Sequence, residues 1–223
     1  MQRTWDRPIV TGRVSIKETL VFSILLCVIS LTLLVAFVNN LTAALTFISM
    51  IGYAGVYTFY LKHRTPQNIV IGGLAGAAPP LLGSVAVTGH VDSLGLMLLL
   101  IIFVWTPPHF WALAIHRFDE YARAKVPMLP NIHGVVYTKK CMLAYTALLV
   151  FFSYLPYIFH YAHMVFLLGV SLINGWFLFS VIQLYRDKSH QSAKRVFIHS
   201  IVYLCILYSL LLVDHLLLIF VSW

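Results

Sequence analysis

Seven times in 223 residues the chain runs through roughly twenty mostly apolar positions, at about 19–38, 41–60, 69–88, 93–115, 141–159, 163–185 and 196–220. A hydrocarbon layer about 30 Å thick takes about 20 residues of helix to cross. Backbone groups in lipid must bond within their own segment, so each run is a helix; a barrel would show short alternating strands. This recurrence predicts an all-α, polytopic transmembrane helix bundle. With 61% hydrophobic and 10% charged residues, little sequence is left for a soluble domain, and residues 1–223 are expected to form a single membrane-embedded domain.

The basic residues divide these runs by side. Arg3, Arg7, Arg13 and Lys17 precede the first, and Lys62 and Arg64 separate the second and third. Arg117, Arg123, Lys125, Lys139 and Lys140 separate the fourth and fifth; Arg186, Lys188, Lys194 and Arg195 separate the sixth and seventh. These are all 15 Lys and Arg, and the other connections (NN, GHVDS, HYAH and the final SW) hold none. Positive loops stay in the cytoplasm, which predicts a cytoplasmic N-terminus and an outside C-terminus. Missing or adding one span would destroy the partition. The net charge of +8 is therefore a topology signal, and no nucleic-acid partner is expected. The polar, basic N-terminus is not a signal peptide and reads like an internal loop. Cys27, Cys141 and Cys205 lie apart in or beside apolar runs and suggest neither disulfide nor metal site.

Three segments do not look like plain membrane. IGGLAGAAPPLLG places Gly72 and Gly76 at the spacing that lets helices approach closely, and its Pro79 and Pro80 free backbone carbonyls. WTPPHFW, residues 105–111, sets Pro107, Pro108 and His109 inside an apolar run. Prolines there are expected to break the ladder near Phe103 and Val104, and an ionisable ring at that depth is a functional candidate. His116 falls two turns on, on about the same helix face, with Glu120 a turn later. Trp105, Phe110 and Trp111 suit the wall of a flat or isoprenoid ligand. The inner loop HRFDEYARAKVPMLPNIHG mixes both signs of charge, as a site for an anion with a metal requires; a solvated loop with local ion pairs fits the spacing equally well. Asp214 and His215 lie toward the outer end and are read as interfacial or helix-bonding groups.

Taken in order, RTWDRPIVTGRVS, YTFYLKHRTPQNIVIGGLAGAAPPLLG and WTPPHFWALAIHRFDEYARAKVPMLP resemble the protohaem IX farnesyltransferase (haem O synthase) branch of the UbiA-type intramembrane prenyltransferases. The likeness extends to about residue 150. It implies a nine-helix bundle around a cavity open near the cytoplasmic side of a bacterial plasma membrane. There farnesyl diphosphate, bound through Mg²⁺, gives its farnesyl group to a vinyl group of haem B to make haem O for haem-copper oxidases. Haem A synthase or the terminal oxidase assembly is an implied partner, beside the lipid bilayer.

By motif match the resemblance assigns Arg3 and Arg7 to diphosphate or a haem propionate. It assigns Lys62 and Arg64 to diphosphate, Asn68 to orienting their loop, and His109 to haem. Asp119 and Glu120 are assigned to Mg²⁺ as catalytic carboxylates, and His116 and Arg117 to the substrate-binding surroundings. Glu120 stands where the family usually has Asp. The family's N-x-x-x-D-x-x-x-D motif and two helices precede the RT-x-x-RP segment, whereas this sequence starts within that segment. Nine helices less two is seven, so the sequence reads as N-terminally truncated and the chain alone is expected to be inactive. Another aromatic prenyltransferase of the superfamily, or a non-catalytic membrane haem binder, are the alternatives; WTPPHFW and VPMLP argue against the first. A transporter would need two repeated halves, which are absent from the sequence.

Overall fold

The structure is a computed structural model that describes residues 6–61, 64–187, 189 and 191–221, with side chains through 219. Its helices are α1 (Ile16–Phe37), α2 (Asn40–Ile51), a π-helical segment (Gly52–Leu61), α3 (Asn68–Ala77), α4 (Pro79–Thr88), α5 (Ser93–His116) and the short α6 (Phe118–Arg123) and α7 (Leu129–His133). Then follow α8 (Val135–Ser153), the single turn α9 (Leu155–Ile158), α10 (Met164–Arg186) and α11 (Ser192–Val221). Among the described residues, seven helical stretches are long and apolar enough to span a bilayer: 16–37, 40–61, 68–88, 93–116, 135–158, 164–186 and 192–219. They coincide with the seven runs of the sequence.

Polar residues at the span ends set where each helix starts. Ser15 and Glu18 form a reciprocal capping box on α1, with bonds of 3.2 and 2.8 Å, so two of the orphan N–H groups of a helix start are satisfied. Asn39 caps α2 by accepting from the Thr42 N–H at 2.8 Å, and its amide also donates to the Val85 carbonyl of α4 at 3.0 Å. Asp92 caps α5 by accepting from the Gly95 N–H at 3.1 Å and from the Ser84 hydroxyl at 2.6 Å. Gly89, at φ +77°, closes α4 in the left-handed region that favours glycine. The turn between α4 and α5 is thus held from both sides.

The prolines act differently in the two places where they interrupt membrane sequence. Pro79 and Pro80 occupy the first two positions of α4, where a missing N–H costs no helix bond. Helices α3 and α4 therefore follow each other almost without a gap. Pro107 and Pro108 do not end α5, which runs unbroken from Ser93 to His116 with both prolines buried. The Phe103 and Val104 carbonyls lose their ladder donors as expected, but the helix does not end there: neighbouring helices enclose this stretch, and packing at such a site offsets the lost ladder bonds.

Helix α5 is the axis of the bundle, with more than half of its span buried. On one side it packs against α3 and α4, on the other against α8 and α11. The main apolar core lies on the second side, where Trp111, Met142, Phe166, Phe177 and Tyr203 are almost fully enclosed. A polar chain threads it: Tyr203 Oη donates to Asn174 Oδ1 at 2.8 Å, and Asn174 Nδ2 donates to Ser153 Oγ at 2.9 Å. That joins α8, α10 and α11 by bonds worth about 0.6 kcal/mol each in membrane proteins. Asp214, 2% exposed, reaches from α11 to accept from the His163 and Phe166 N–H groups at 2.6 and 2.9 Å. It caps the start of α10 from a different helix, which realises the helix-bonding role read for it. Helix α1 packs on α2 and buries no residue.

Candidate active site

An aromatic cleft of about 300 Å³ opens between the π segment, α3 and α5. Tyr53 and Tyr57 line one wall, stacked with ring centroids 5.3 Å apart. Ile102, Trp105, Thr106 and Phe110 of α5 line the opposite wall, and Gly72, Gly73 and Gly76 of α3 form the floor. Both tyrosines belong to the π segment, Tyr53 exposed and Tyr57 half-buried. The segment contains Gly52 and Gly55 among β-branched and aromatic residues, a poor composition for a tight α-helix. Thr58 adds a hydroxyl bond to the Tyr53 carbonyl, five residues back, at 2.9 Å. π-Turns concentrate at functional sites.

The glycines do three different things. A Cβ at Gly72 would lie 2.2 Å from the Tyr57 ring, and one at Gly73 would lie 3.0 Å from the Thr106 methyl. A Cβ at Gly76 would meet nothing within 4 Å. The close-packing expectation holds at Gly72, against the Tyr57 ring of the π segment, and is corrected at Gly76. Gly72 admits a ring, Gly73 admits α5, and Gly76 borders open space.

At one end the cleft meets the connections around Asn68 and α6. Ile69 lines the cleft and packs with Ala114 and Met128, over which Tyr121 of α6 lies. Asn68, buried, begins α3 beside Ile69, and its N–H donates to the Thr65 carbonyl at 3.2 Å. Helix α6 thus stands at the cleft's mouth with its Arg117–Glu120 ion pair, 3.8 Å apart and partly exposed. Arg64 is exposed at the end of the π segment, its guanidinium 4.5 Å from the Tyr60 ring centroid.

The remaining sequence candidates are spread out. His109 is 8% exposed and faces α11, not the cleft. Its ring is stacked between Trp105 and Phe197, and Nδ1 lies 2.7 Å from Ser200 Oγ. Phe110, the next residue, lines the cleft, so a haem contact by His109 as expected from the sequence would lie on the α11 side of α5. His116 does share a face with His109, but that face leads to a second, shallow cleft with Asp119, Ser189 and Gln191. Arg7 is exposed in the turn before α1 and lines neither cleft. Arg3 and Lys62 lie outside the described residues.

Asp119 and Glu120 are adjacent on α6, and among the described residues no three His, Cys, Asp or Glu groups converge. A small hard cation takes one or two carboxylates and completes its shell with phosphate oxygens and water. These donors therefore fit a metal that arrives with a diphosphate better than a resident all-protein cage.

The cleft's tyrosines were missed in the sequence, although Tyr53 and Tyr57 at i and i+4 share a helix face. Their signal was lost because every face of that run is apolar or aromatic.

Fold and site together define a multi-pass helical membrane protein with an aromatic cleft between its helices, close to charged connecting loops. The family model for the UbiA prenyltransferase family matches residues 1–217, and the chain belongs to that family. Curated relatives named protoheme IX farnesyltransferase are similar to it along nearly its whole length. The one from Coxiella burnetii (strain RSA 493 / Nine Mile phase I) is 56% identical over 215 residues, 96% of this chain and 70% of the relative. That from Stutzerimonas stutzeri is 56% identical over 218 residues, covering 98% and 73%, and that from Saccharophagus degradans 51%, covering 98% and 72%. A solved structure of digeranylgeranylglyceryl phosphate synthase in membranes superposes with a TM-score of 0.78 at 20% identity, over 96% of this chain and 76% of that one. It shares the fold.

Proposed function

We propose that the chain is a protohaem IX farnesyltransferase, joining the farnesyl group of farnesyl diphosphate to a vinyl group of haem B to give haem O. The observation that carries this reading is the 56% identity over 215 residues with relatives of that name. The geometry supports it: an apolar, ring-walled cleft lies directly below a loop bearing both signs of charge.

In the reaction, the farnesyl C1–O bond breaks and its electron pair leaves with diphosphate. The terminal vinyl carbon of haem supplies the pair that forms the new bond to C1. Water adds to the other vinyl carbon and releases a proton, leaving the hydroxyethylfarnesyl group. The faces of Tyr57 and Trp105 stabilise the allylic cation, since a desolvated cation over an aromatic face gains about 2 kcal/mol or more. The apolar walls keep water from that cation before the vinyl group reaches it. Arg3, Arg7, Lys62, Arg64 and Arg117 are the cations for diphosphate and haem propionates, as fixed charges matter most where negative charge develops. Asn68 orients the loop that carries Lys62 and Arg64. Asp119 and Glu120 would hold Mg²⁺, which when bound neutralises the departing diphosphate. His109 acts through Trp105 as a positioning residue, and His116 belongs to the substrate-binding surroundings through the second cleft, beside Asp119.

On this reading the basic loops, and the face that carries them, lie on the cytoplasmic side of a bacterial plasma membrane. Residues 1–223 act as one membrane-embedded domain, and its product is suited to haem A synthase or oxidase assembly as the next partner. The test uses the purified chain in nanodiscs. Farnesyl diphosphate with Mg²⁺ is expected to raise its melting temperature, and haem B to yield a later-eluting product heavier by one farnesyl group and one hydroxyl. A chain that shows neither stabilisation nor product overturns the proposal.

A further inference from the structure

Two arrangements of a serine, a histidine and a tryptophan join helices inside the bundle, and they differ in whether they touch the cleft. In the first, the rings of Trp105 and His109 of α5 stack 4.2 Å apart, and Phe197 of α11 stacks on the imidazole at 4.6 Å. Ser200 of α11, fully buried, makes both polar contacts to this stack. Its carbonyl accepts from Trp105 Nε1 at 2.8 Å, and its Oγ lies 2.7 Å from His109 Nδ1. The serine hydroxyl has a single proton, which goes to the Phe197 carbonyl at 2.6 Å. Ser200 Oγ is therefore the acceptor and His109 Nδ1 the donor. The serine fixes which nitrogen carries the proton and, with it, the plane of the imidazole.

Trp105 needs holding because it is a partition. It lines the aromatic cleft, and with Ile102 it also lines an apolar groove of about 310 Å³ on the α11 side. The Nε1 bond anchors one edge of the indole, but a bond at one edge leaves the ring free to turn about it. The stack on His109 removes that freedom, and Ser200 holds His109. Without the hydroxyl a buried N–H is left unpaired, a cost that drives the imidazole to turn and find another acceptor.

We infer that Ser200 is a positioning residue for farnesyl transfer: through His109 it holds the Trp105 ring in the cleft wall, with its face to the positive charge at farnesyl C1. This rests on the reading of the chain as a farnesyltransferase. The attraction of a cation to an aromatic ring depends on the charge lying over the ring face. A turned indole keeps its apolar contact with the chain and loses that electrostatic one. A neutral farnesyl group is indifferent to the change, and a charged one is not.

The second arrangement supplies a matched control. The Trp176 and His199 rings lie 4.5 Å apart, and Ser180 Oγ lies 2.8 Å from His199 Nδ1 while donating to the Trp176 carbonyl at 3.0 Å. These groups join α10 to α11 and do not line the cleft. Ser180→Ala therefore removes an equivalent bond from the bundle without touching the cleft wall.

The experiment titrates the full chain in nanodiscs by thermal shift, with Mg²⁺ and inorganic diphosphate present. The probes are farnesol and farnesyl trimethylammonium, which carries a fixed positive charge on the nitrogen bonded to C1. The proteins are wild type, Ser200→Ala and Ser180→Ala. The ratio of the two affinities is the readout, because a loss of packing alone moves both together. Ser200→Ala is expected to shift the ratio against the cation at least about fivefold, within the range of a cation–ring contact. Its farnesol affinity should stay within about twofold of wild type, and Ser180→Ala should keep the ratio within about twofold whatever its melting temperature.

An unchanged ratio in Ser200→Ala, an equal loss of both probes, or an equal shift in Ser180→Ala overturns the inference, as does a wild type that binds farnesol alone. If Ser200→Ala does not run as a monodisperse protein, Ser200→Cys, whose sulfur is a weaker acceptor, decides by the same criterion. A wild-type chain that binds neither probe overturns the functional reading itself and this inference with it, a result distinct from a wild type that binds both while Ser200 has no influence.

Discussion

Single residues in this protein are set by clearances of an ångström or less. Gly72 is the sharpest case, since the atom it would strike belongs to a ring held by its stack on Tyr53, not to the free end of a flexible chain. Gly72→Ala is expected to push Tyr57 into the cleft, at a cost of about 1–3 kcal/mol for overpacking. The melting temperature of the detergent-solubilised protein reads that cost, and Tyr57→Ala in the same chain should restore most of it; a Gly72→Ala protein as stable as wild type refutes the contact. The His109–Ser200 bond is the opposite case. The histidine was legible as a buried polar group, but its partner, 91 residues away in sequence, was not. In a run that is apolar on every side, no stripe marks the face that turns inward.

Elements are governed by their ends. Capping groups at Ser15, Asn39 and Asp92 start three helices, and all three are sequence-local signals. Asp187 is a further one, in the turn between α10 and α11. Its Oδ1 accepts from the Ser189 N–H and hydroxyl at 2.8 and 2.7 Å, and its Oδ2 from the Ser192 N–H and hydroxyl at 3.0 and 2.7 Å. The Ser189 hydroxyl first, then the Ser192 N–H, hold its carboxyl well below the ordinary carboxylate range. Because the folded-state value is the lower one, the contribution to stability is complete above the unfolded value and is lost as pH falls towards the folded one. Asp187→Asn should therefore melt below wild type by a constant gap between about pH 5 and 8. The gap should close as the pH drops below about 4. A gap independent of pH down to that range would show that the carboxylate's charge is not what holds the turn. Asp214 does similar work for α10 from across the bundle, and only assembly reveals that.

At the scale of the whole molecule, a core beside α8, α10 and α11 holds α5 on one side, while the cleft opens on the other. The sidedness of the chain is checked with single cysteines introduced at His160 and Gln191 after removal of Cys27, Cys141 and Cys205. A membrane-impermeant maleimide applied to intact spheroplasts is expected to label position 160 and to reach 191 only after lysis. The reverse pattern would invert the proposed orientation and place the diphosphate end of the cleft outside.

The number of spans, their limits and the separation of charge were already decided by the amino-acid order. Bilayer thickness and the cost of desolvating Lys and Arg act on each segment by itself, so both can be read one run at a time. Which side of α5 looks into the cleft, whether Pro107 and Pro108 break it, and that Tyr53, Tyr57 and Gly76 share a cavity were decided by assembly. In a helix apolar all round, rotation is fixed by the fit of neighbouring side chains, and that information is spread over residues far apart in the chain.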